Sequence, residues 1–207
     1  SSKTHNFLFN KLKDRETFKI YKKFEKNLNL SEDFIVAVSG GPDSLALCFL
    51  SQIYSIKKHI KVKYFHVDHK LRYNSTKEAK LVKLLLKKLP AKLVILNWIG
   101  KKPKSNIQSV ARNKRYELLI NEAKKLKMKN ILLGHHKDDL IENFFIRMIR
   151  GSGLKGLVSL EKKTTFNKVN LIRPLLNFNK KDLEYISNYV FNFFIQDPSN
   201  ENTKYTR

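Results

Sequence analysis

Phe34-Ile35-Val36-Ala37-Val38-Ser39-Gly40-Gly41-Pro42-Asp43-Ser44 is the stretch on which the reading of this chain turns. Its first five residues are apolar, too few for a buried helix and bounded at once by Ser-Gly-Gly, which reads as a buried parallel strand. The apolar run resumes at Leu45 and predicts a helix from Asp43 to Ile56. A loop passing from a strand into a helix aims its backbone N–H groups, and those of the first helical turn, at one point where an anion is stabilised. Gly40 and Gly41 allow a tight path and close approach of the backbone, and Ser39 and Ser44 add hydroxyl donors. Asp43 would repel a bare phosphate, so a bridging Mg²⁺ is expected beside it. The GxxxxGK[ST] nucleotide loop and its lysine are missing here. An ordinary strand-to-helix turn with an Asp near the helix start is the plain alternative.

Working outward, the same unit recurs. Strands are predicted over Val62 to Val67, Leu93 to Leu96 and Ile131 to Leu133; helices are predicted over Thr76 to Leu89, Ser109 to Lys127 and Asp138 to Arg150, the last ended by Gly151-Ser152-Gly153. Alternation of this kind predicts an α/β fold, a doubly wound parallel sheet with helices on both faces. Before it, Phe7, Leu8, Leu12, Phe18, Tyr21, Phe24 and Leu28 mark a broken amphipathic helix within residues 1–30 that packs against the α/β unit. After it come a strand at Val169 to Ile172, a break at Pro174, a helix from Lys180 to Val190 and a polar tail. Neither an internal repeat nor a long linker divides the chain, so residues 1–207 read as one domain in which about 157–207 extend the same unit. Ligands of such sheets bind beyond the carboxyl ends of the strands, which singles out the loops Ser39 to Ser44, His66 to Tyr73 and Gly134 to Asp139.

Composition narrows the class. A 207-residue chain buries one sizeable core. Its apolar runs fall well short of the roughly 20 residues that cross a bilayer, and no signal-peptide pattern follows the polar N-terminus, so no membrane partner and a cytoplasmic location are expected. A single cysteine, Cys48, excludes an intramolecular disulfide, a cysteine metal cluster and a CxxC redox pair; inside Leu45-Ala46-Leu47-Cys48-Phe49-Leu50 it reads as an inert core thiol. The net charge of +24 makes nucleic acid a plausible partner. A codon-biased, lysine-rich composition accounts for the charge as well, so the motifs must decide.

Gly134-His135-His136-Lys137-Asp138-Asp139-Leu140-Ile141-Glu142 places two carboxylates at the opening turn of a helix just past a strand. The helix dipole favours an acid there, which explains one of them. A pair beside a triphosphate is the oxygen donor set that Mg²⁺ prefers, and His135 is placed to bond a phosphate or a base. Arg112 and Arg115, three apart on one helix, share a face and offer positive charge to a phosphate, or else form a surface pair.

Together these segments resemble a known family. Ser39 to Ser44 is similar to the SGGxDS pyrophosphate loop of ATP pyrophosphatases, which cleave ATP between its α- and β-phosphates. Within that superfamily, residues 135–143 resemble the HxxDDxxET signature of tRNA(Ile)-lysidine synthetases, with Asn143 where the family usually has Thr. His66-Val67-Asp68-His69-Lys70-Leu71-Arg72 looks like the family's segment after the second strand, and Ala111-Arg112-Asn113-Lys114-Arg115-Tyr116 like its ARxxRY helix. Arg150 to Leu157 matches RGSGxxGL, Arg173-Pro174-Leu175 matches RPL, and Asp197 to Asn200 with Arg207 matches the DxSN…R element.

The resemblance implies a Rossmann-like fold of the adenine nucleotide alpha hydrolase type and a ligase that forms a carbon–nitrogen bond. ATP and Mg²⁺ are the implied cofactors, and L-lysine and tRNA(Ile) with a CAU anticodon the implied partners. It implies that Ser39, Gly40, Gly41, Pro42, Asp43, Ser44, His66, Gly134 and His135 bind the nucleotide. Asp43, Asp138 and Asp139 would hold the metal, and these three with Arg112 and Arg207 would carry the catalysis. Members generally continue into further tRNA-binding regions, so a chain ending at Arg207 is expected to lack them and to bind ATP better than it selects a tRNA. The rivals are a tRNA thiolase of the same superfamily, which would need more cysteine than Cys48, and a nucleotide-dependent basic RNA-binding module without chemistry.

Overall fold

In the computed structural model, residues 2–142 and 161–192 are described. The elements are α1 (Ser2–Lys11), α2 (Arg15–Leu28), β1 (Phe34–Ala37), α3 (Pro42–Lys58), β2 (Val62–Asp68), α4 (Ser75–Leu86), β3 (Leu93–Asn97), α5 (Ile107–Lys125), β4 (Asn130–Leu132), β5 (Lys163–Phe166), β6 (Val169–Ile172) and α6 (Lys180–Phe191). Residues 137–142 are also helical.

The strands form one sheet in the order β3-β2-β1-β4-β6-β5. β1 lies between β2 and β4, parallel to both, with Ile35 opposite Lys63 on one side and Ile131 on the other. The chain therefore winds outward through β2 and β3 and then returns to the far side of β1. That reversal opens a crevice beyond the carboxyl ends of β1 and β4, where residues 39–44 and 134–139 meet.

β1 is buried on both faces because alternate side chains enter separate cores. Phe34 and Val36 join the cluster built from α3, α4 and α6, while Ile35 joins Leu119, Ile120 and Ala123 of α5. α3 is buried from Ser44 to Ser55, since α1, α2 and α6 close over the side that does not touch the sheet. Leu8, Leu12, Ile20, Tyr21, Phe24 and Leu28 supply that cover. The expected break in the N-terminal helix falls at Asp14, whose carboxylate caps α2 by accepting from Thr17 N at 2.9 Å.

Several boundaries moved for local reasons. α4 stops at Leu86 rather than Leu89, because Pro90 disfavours helix at the residue before it and the last turns tighten to bonds such as Leu89 N to Leu86 O. α3 runs on to Lys58, where His59 takes the left-handed conformation and donates to Ile56 O and Ser55 O. Phe18, read as part of an apolar face, is 45% exposed. The sheet is not wholly parallel: β5 pairs antiparallel with β6 through Asn167 and Lys168, both at positive φ. Lys163-Thr164-Thr165-Phe166 carries no apolar alternation because it is a solvent-facing edge, where lysine also discourages further pairing. Among the described residues no helix is long and apolar enough to cross a membrane.

Candidate functional site

The loop after β1 adopts the tight path its glycines suggested. Gly40 has φ of 100°, a conformation glycine enters without steric cost. Gly41 is the N-cap of α3 and Pro42 occupies its first turn, where a missing N–H removes no helical bond. Ser44 is buried, and its hydroxyl accepts from Gly40 N at 2.9 Å and from Ser39 Oγ at 3.0 Å while donating to Gly41 O at 3.0 Å. Ser44 thus braces the loop from within, and Ser39 is held by it. On the far side, Ser187 of α6 donates to Pro42 O, tying the loop to the C-terminal helix.

Gly134 brings the second segment against the first. A Cβ on it would lie 3.3 Å from both the Cα and the N of Ser44 and 3.4 Å from the carbonyl carbon of Asp43. The neighbours are backbone and cannot swing aside. Two residues on, the chain starts the helix of residues 137–142 with a reciprocal cap. His136 Nδ1 accepts from Asp138 N at 3.2 Å, and Asp139 Oδ2 accepts from His136 N at 2.7 Å. This is the capping-box exchange with histidine and aspartate in the usual roles of serine and glutamate.

Because Nδ1 accepts, Nε2 carries the ring proton, and it lies 3.6 Å from Asp43 Oδ2 and 3.6 Å from Asp139 Oδ2. His136 is therefore the hub on which Asp43 and Asp139 converge, while Asp138, with its side chain 61% exposed, stands 4.0 Å from Nδ1 at the rim. Asp43 Oδ1 is buried without a hydrogen-bond donor. Burial raises the Asp43 carboxyl from its usual 3.8 to about 6, with His136 and Lys180 opposing the rise and Asp139 and Glu184 adding to it. Among the described residues no three His, Cys, Asp or Glu side chains form a metal cage. Mg²⁺ seldom needs one in a nucleotide site, since one or two carboxylates suffice when phosphates and water complete its shell. An unpartnered buried oxygen on Asp43, whose other oxygen shares His136 with Asp139, fits that donor set.

His135 diverges from its neighbour into a cationic group on the other side of the crevice. It is mostly buried, its Nδ1 has no partner, and burial followed by the charges of Arg173, Arg112 and Arg115 lowers its pKa to about 3. It is therefore neutral at pH 7. The Arg112 and Arg115 guanidiniums lie 5.8 and 5.7 Å from the Tyr116 ring. Arg173, just past β6, is buried and donates to Glu161 O and Thr164 Oγ1. Arg173 Nε, like His135 Nδ1, is buried without a partner, and the buried Tyr116 hydroxyl is set against Arg115 and Arg173. Arg112 is exposed and so open to an anion. His66, another expected nucleotide contact, is buried at the end of β2 with Nδ1 donating to Val38 O at 2.8 Å, and burial lowers its pKa. Cys48 is fully buried, and burial raises its thiol well above the usual value, as expected of an inert core residue.

The structure thus brings together Ser39 to Ser44, Gly134 to Asp139, His66, Arg112 and Arg115. Arg207, Asn143, Arg150 to Leu157 and Asp197 to Asn200 lie outside the described residues. Sequence reasoning passed over His136, whose signal was the capping-box spacing to Asp139, and gave Arg173 no role beyond a motif match. Only the fold brought Arg173, from beyond β6, against Tyr116 of α5.

A family model described as a PP-loop domain matches residues 13–207. The tRNA(Ile)-lysidine synthase of Orientia tsutsugamushi (strain Boryong) is 41% identical over 184 residues, which cover 89% of this chain and 41% of that protein. That of Rickettsia felis is 37% identical over 195 residues, covering 91% and 45%. The chain spans less than half the length of these curated relatives. Among solved structures, a U34-tRNA thiolase from Methanococcus maripaludis superposes with a TM-score of 0.76 at 18% identity, covering 88% of this chain and 66% of that one, which is a likeness of fold.

Proposed function

The chain belongs to the PP-loop domain family, and we propose that it is the catalytic part of a tRNA(Ile)-lysidine synthetase, joining lysine to the anticodon cytidine of tRNA(Ile) at the expense of ATP. The observation that carries this reading is the convergence of Asp43, at the end of the Gly40 loop, and Asp139 on His136, with Gly134 packed against the backbone of Asp43 and Ser44. That arrangement sets a carboxylate pair beside a helix N-terminus, the combination a metal-bound triphosphate requires.

In the proposed reaction the loop 39–44 and the first turn of α3 hold the β- and γ-phosphates. The cytosine 2-carbonyl oxygen forms a bond to the α-phosphorus, and the bond to pyrophosphate breaks with its electron pair leaving on pyrophosphate. The ε-amine of lysine, in its neutral form, then bonds to C2 and loses a proton, and AMP departs with the former carbonyl oxygen. Asp43 and Asp139 would hold Mg²⁺, which when bound offsets phosphate charge. Arg112, exposed at the crevice, is placed to stabilise the charge that grows on the α-phosphate, and fixed donors of this kind act without reorganising. His136 orients both carboxylates. Neutral His135 offers its unpartnered Nδ1 to a base or ribose.

A thiolase reading finds no support in Cys48, which is buried in the core of α3. The test is the conversion of ATP to AMP and pyrophosphate. Pyrophosphate release is expected to need tRNA(Ile), and AMP release to need lysine as well; AMP release at the same rate with and without lysine would refute the proposed ligation.

A further inference from the structure

Beyond the carboxyl ends of β2 and β3, alongside the crevice, the chain builds a second feature. Residues 69–77 and 98–106 hold six lysines and arginines and no aspartate or glutamate. The acid just before them, Asp68, is buried and already accepts from Lys70 N at 2.9 Å and Thr76 Oγ1 at 2.8 Å. From this basic rim project Tyr73, 94% exposed, and Ile99, 86% exposed. Single exposed apolar side chains are common on protein surfaces, but a ring this open among cations is available to stack an unpaired base. The rim is also braced. Trp98 N donates to Asp68 O at 2.9 Å, the His69 and Trp98 rings meet edge to face at 6.0 Å, and Lys102 lies 4.1 Å over Trp98 while donating to its carbonyl at 2.8 Å.

We propose that this rim docks a single-stranded RNA segment, with Tyr73 as the platform for an unstacked base and Lys70, Lys77, Lys101 and Lys104 neutralising the flanking phosphates. Charge complementarity selects a polyanion. A second copy of this chain, itself at +24, would be repelled. The open aromatic face selects single strand over duplex, because a base must leave its stack to lie on a ring. Lys77 Nζ stands 5.7 Å from the Tyr73 ring, close enough to meet the phosphate beside a base stacked there. The choice of RNA among polyanions rests on the proposed function. The surface itself rests on charge and exposure alone.

The test is fluorescence anisotropy with a labelled single-stranded RNA of about 12 nucleotides, titrated across salt, with ATP binding measured in parallel as a check on folding. Tyr73→Ala is expected to weaken RNA binding about tenfold, within the range for losing one base–aromatic stack, and Tyr73→Phe to retain it. Replacing Lys70, Lys101 and Lys104 by Gln should lower the log–log salt slope by about 2, from roughly 0.7 per single-strand phosphate contact. The control replaces Lys61, Lys63 and Lys92 by Gln, at the opposite ends of the same two strands, and should leave affinity and slope nearly unchanged. Equal losses in both triple variants would mean net charge alone and would overturn the proposal. So would a Tyr73→Ala variant of undiminished affinity, equal binding of a duplex of the same length, or tighter binding to anionic lipid vesicles than to RNA. RNA binding that follows the expected pattern while pyrophosphate release fails would sustain the rim and remove the ligase reading.

Discussion

Replacing Asp43 by Asn should make the protein more stable at pH 8 while abolishing its chemistry. The Asp43 carboxyl is raised from 3.8 to about 6, chiefly by burial, so the folded state prefers it protonated. For an acid shifted upward, the stabilisation of its neutral form is fully present below the unfolded value of 3.8 and is lost as pH rises through about 6. Each tenfold change in proton affinity is ~1.4 kcal/mol, so ionised Asp43 destabilises the metal-free fold at pH 8 by about 3 kcal/mol. Asn stays neutral throughout. The variant should therefore match the wild type near pH 4, gain on it between pH 4 and 7, and exceed it at pH 8 by up to about 3 kcal/mol, a rise in Tm of roughly 6–12 °C for a domain of this size. Thermal or urea unfolding in EDTA from pH 4 to 8 measures this. Magnesium and ATP should then stabilise the wild type by mass action, by about 2.7 kcal/mol at a hundredfold excess over Kd, and the variant far less. Pyrophosphate release should vanish. An Asn variant no more stable than wild type at pH 8 would refute the account of a strained, buried carboxylate held for a cation.

The remaining predictions concern the apposed segment. Gly134→Ala is expected to lose about 1–3 kcal/mol by overpacking against the backbone of Asp43 and Ser44, and about a hundredfold in pyrophosphate release as the two loops shift; wild-type Tm and turnover would show that the loops yield freely. His136→Asn, which keeps an N-cap acceptor, should retain stability better than His136→Ala, for which a loss of about 1 kcal/mol is expected; equal melting temperatures for the two would discount the cap. Asp139→Asn should lower both Tm and activity, whereas Asp138→Asn, at an exposed rim position, should leave Tm unchanged in a thermal melt. Arg112→Ala is expected to slow pyrophosphate release by roughly 100- to 1,000-fold, on the scale of losing one oxyanion donor, with ATP affinity by titration calorimetry little altered.

What the chain determines by itself is whatever depends on near neighbours. Phe34 to Val38 followed by two glycines and Pro42 can hardly be other than a buried strand entering a helix, and the alternation of short apolar runs with helical periods dictates a wound α/β sheet. The family motifs carried the candidate residues, since backbone geometry in a loop is a local property. Three-dimensional packing settled the rest. The strand order places Gly134 against Ser44, ninety residues apart in sequence, and only that approach shows why glycine stands there. It also separates adjacent His135 and His136, sending one among arginines and the other between Asp43 and Asp139, a divergence of which the sequence held only the capping spacing from His136 to Asp139. The edge strand Lys163–Phe166 left no periodic signal because solvent, not a core, faces it. The raised proton affinity of Asp43 comes from burial by segments remote in sequence, and burial is a sum over neighbours that only the folded chain supplies.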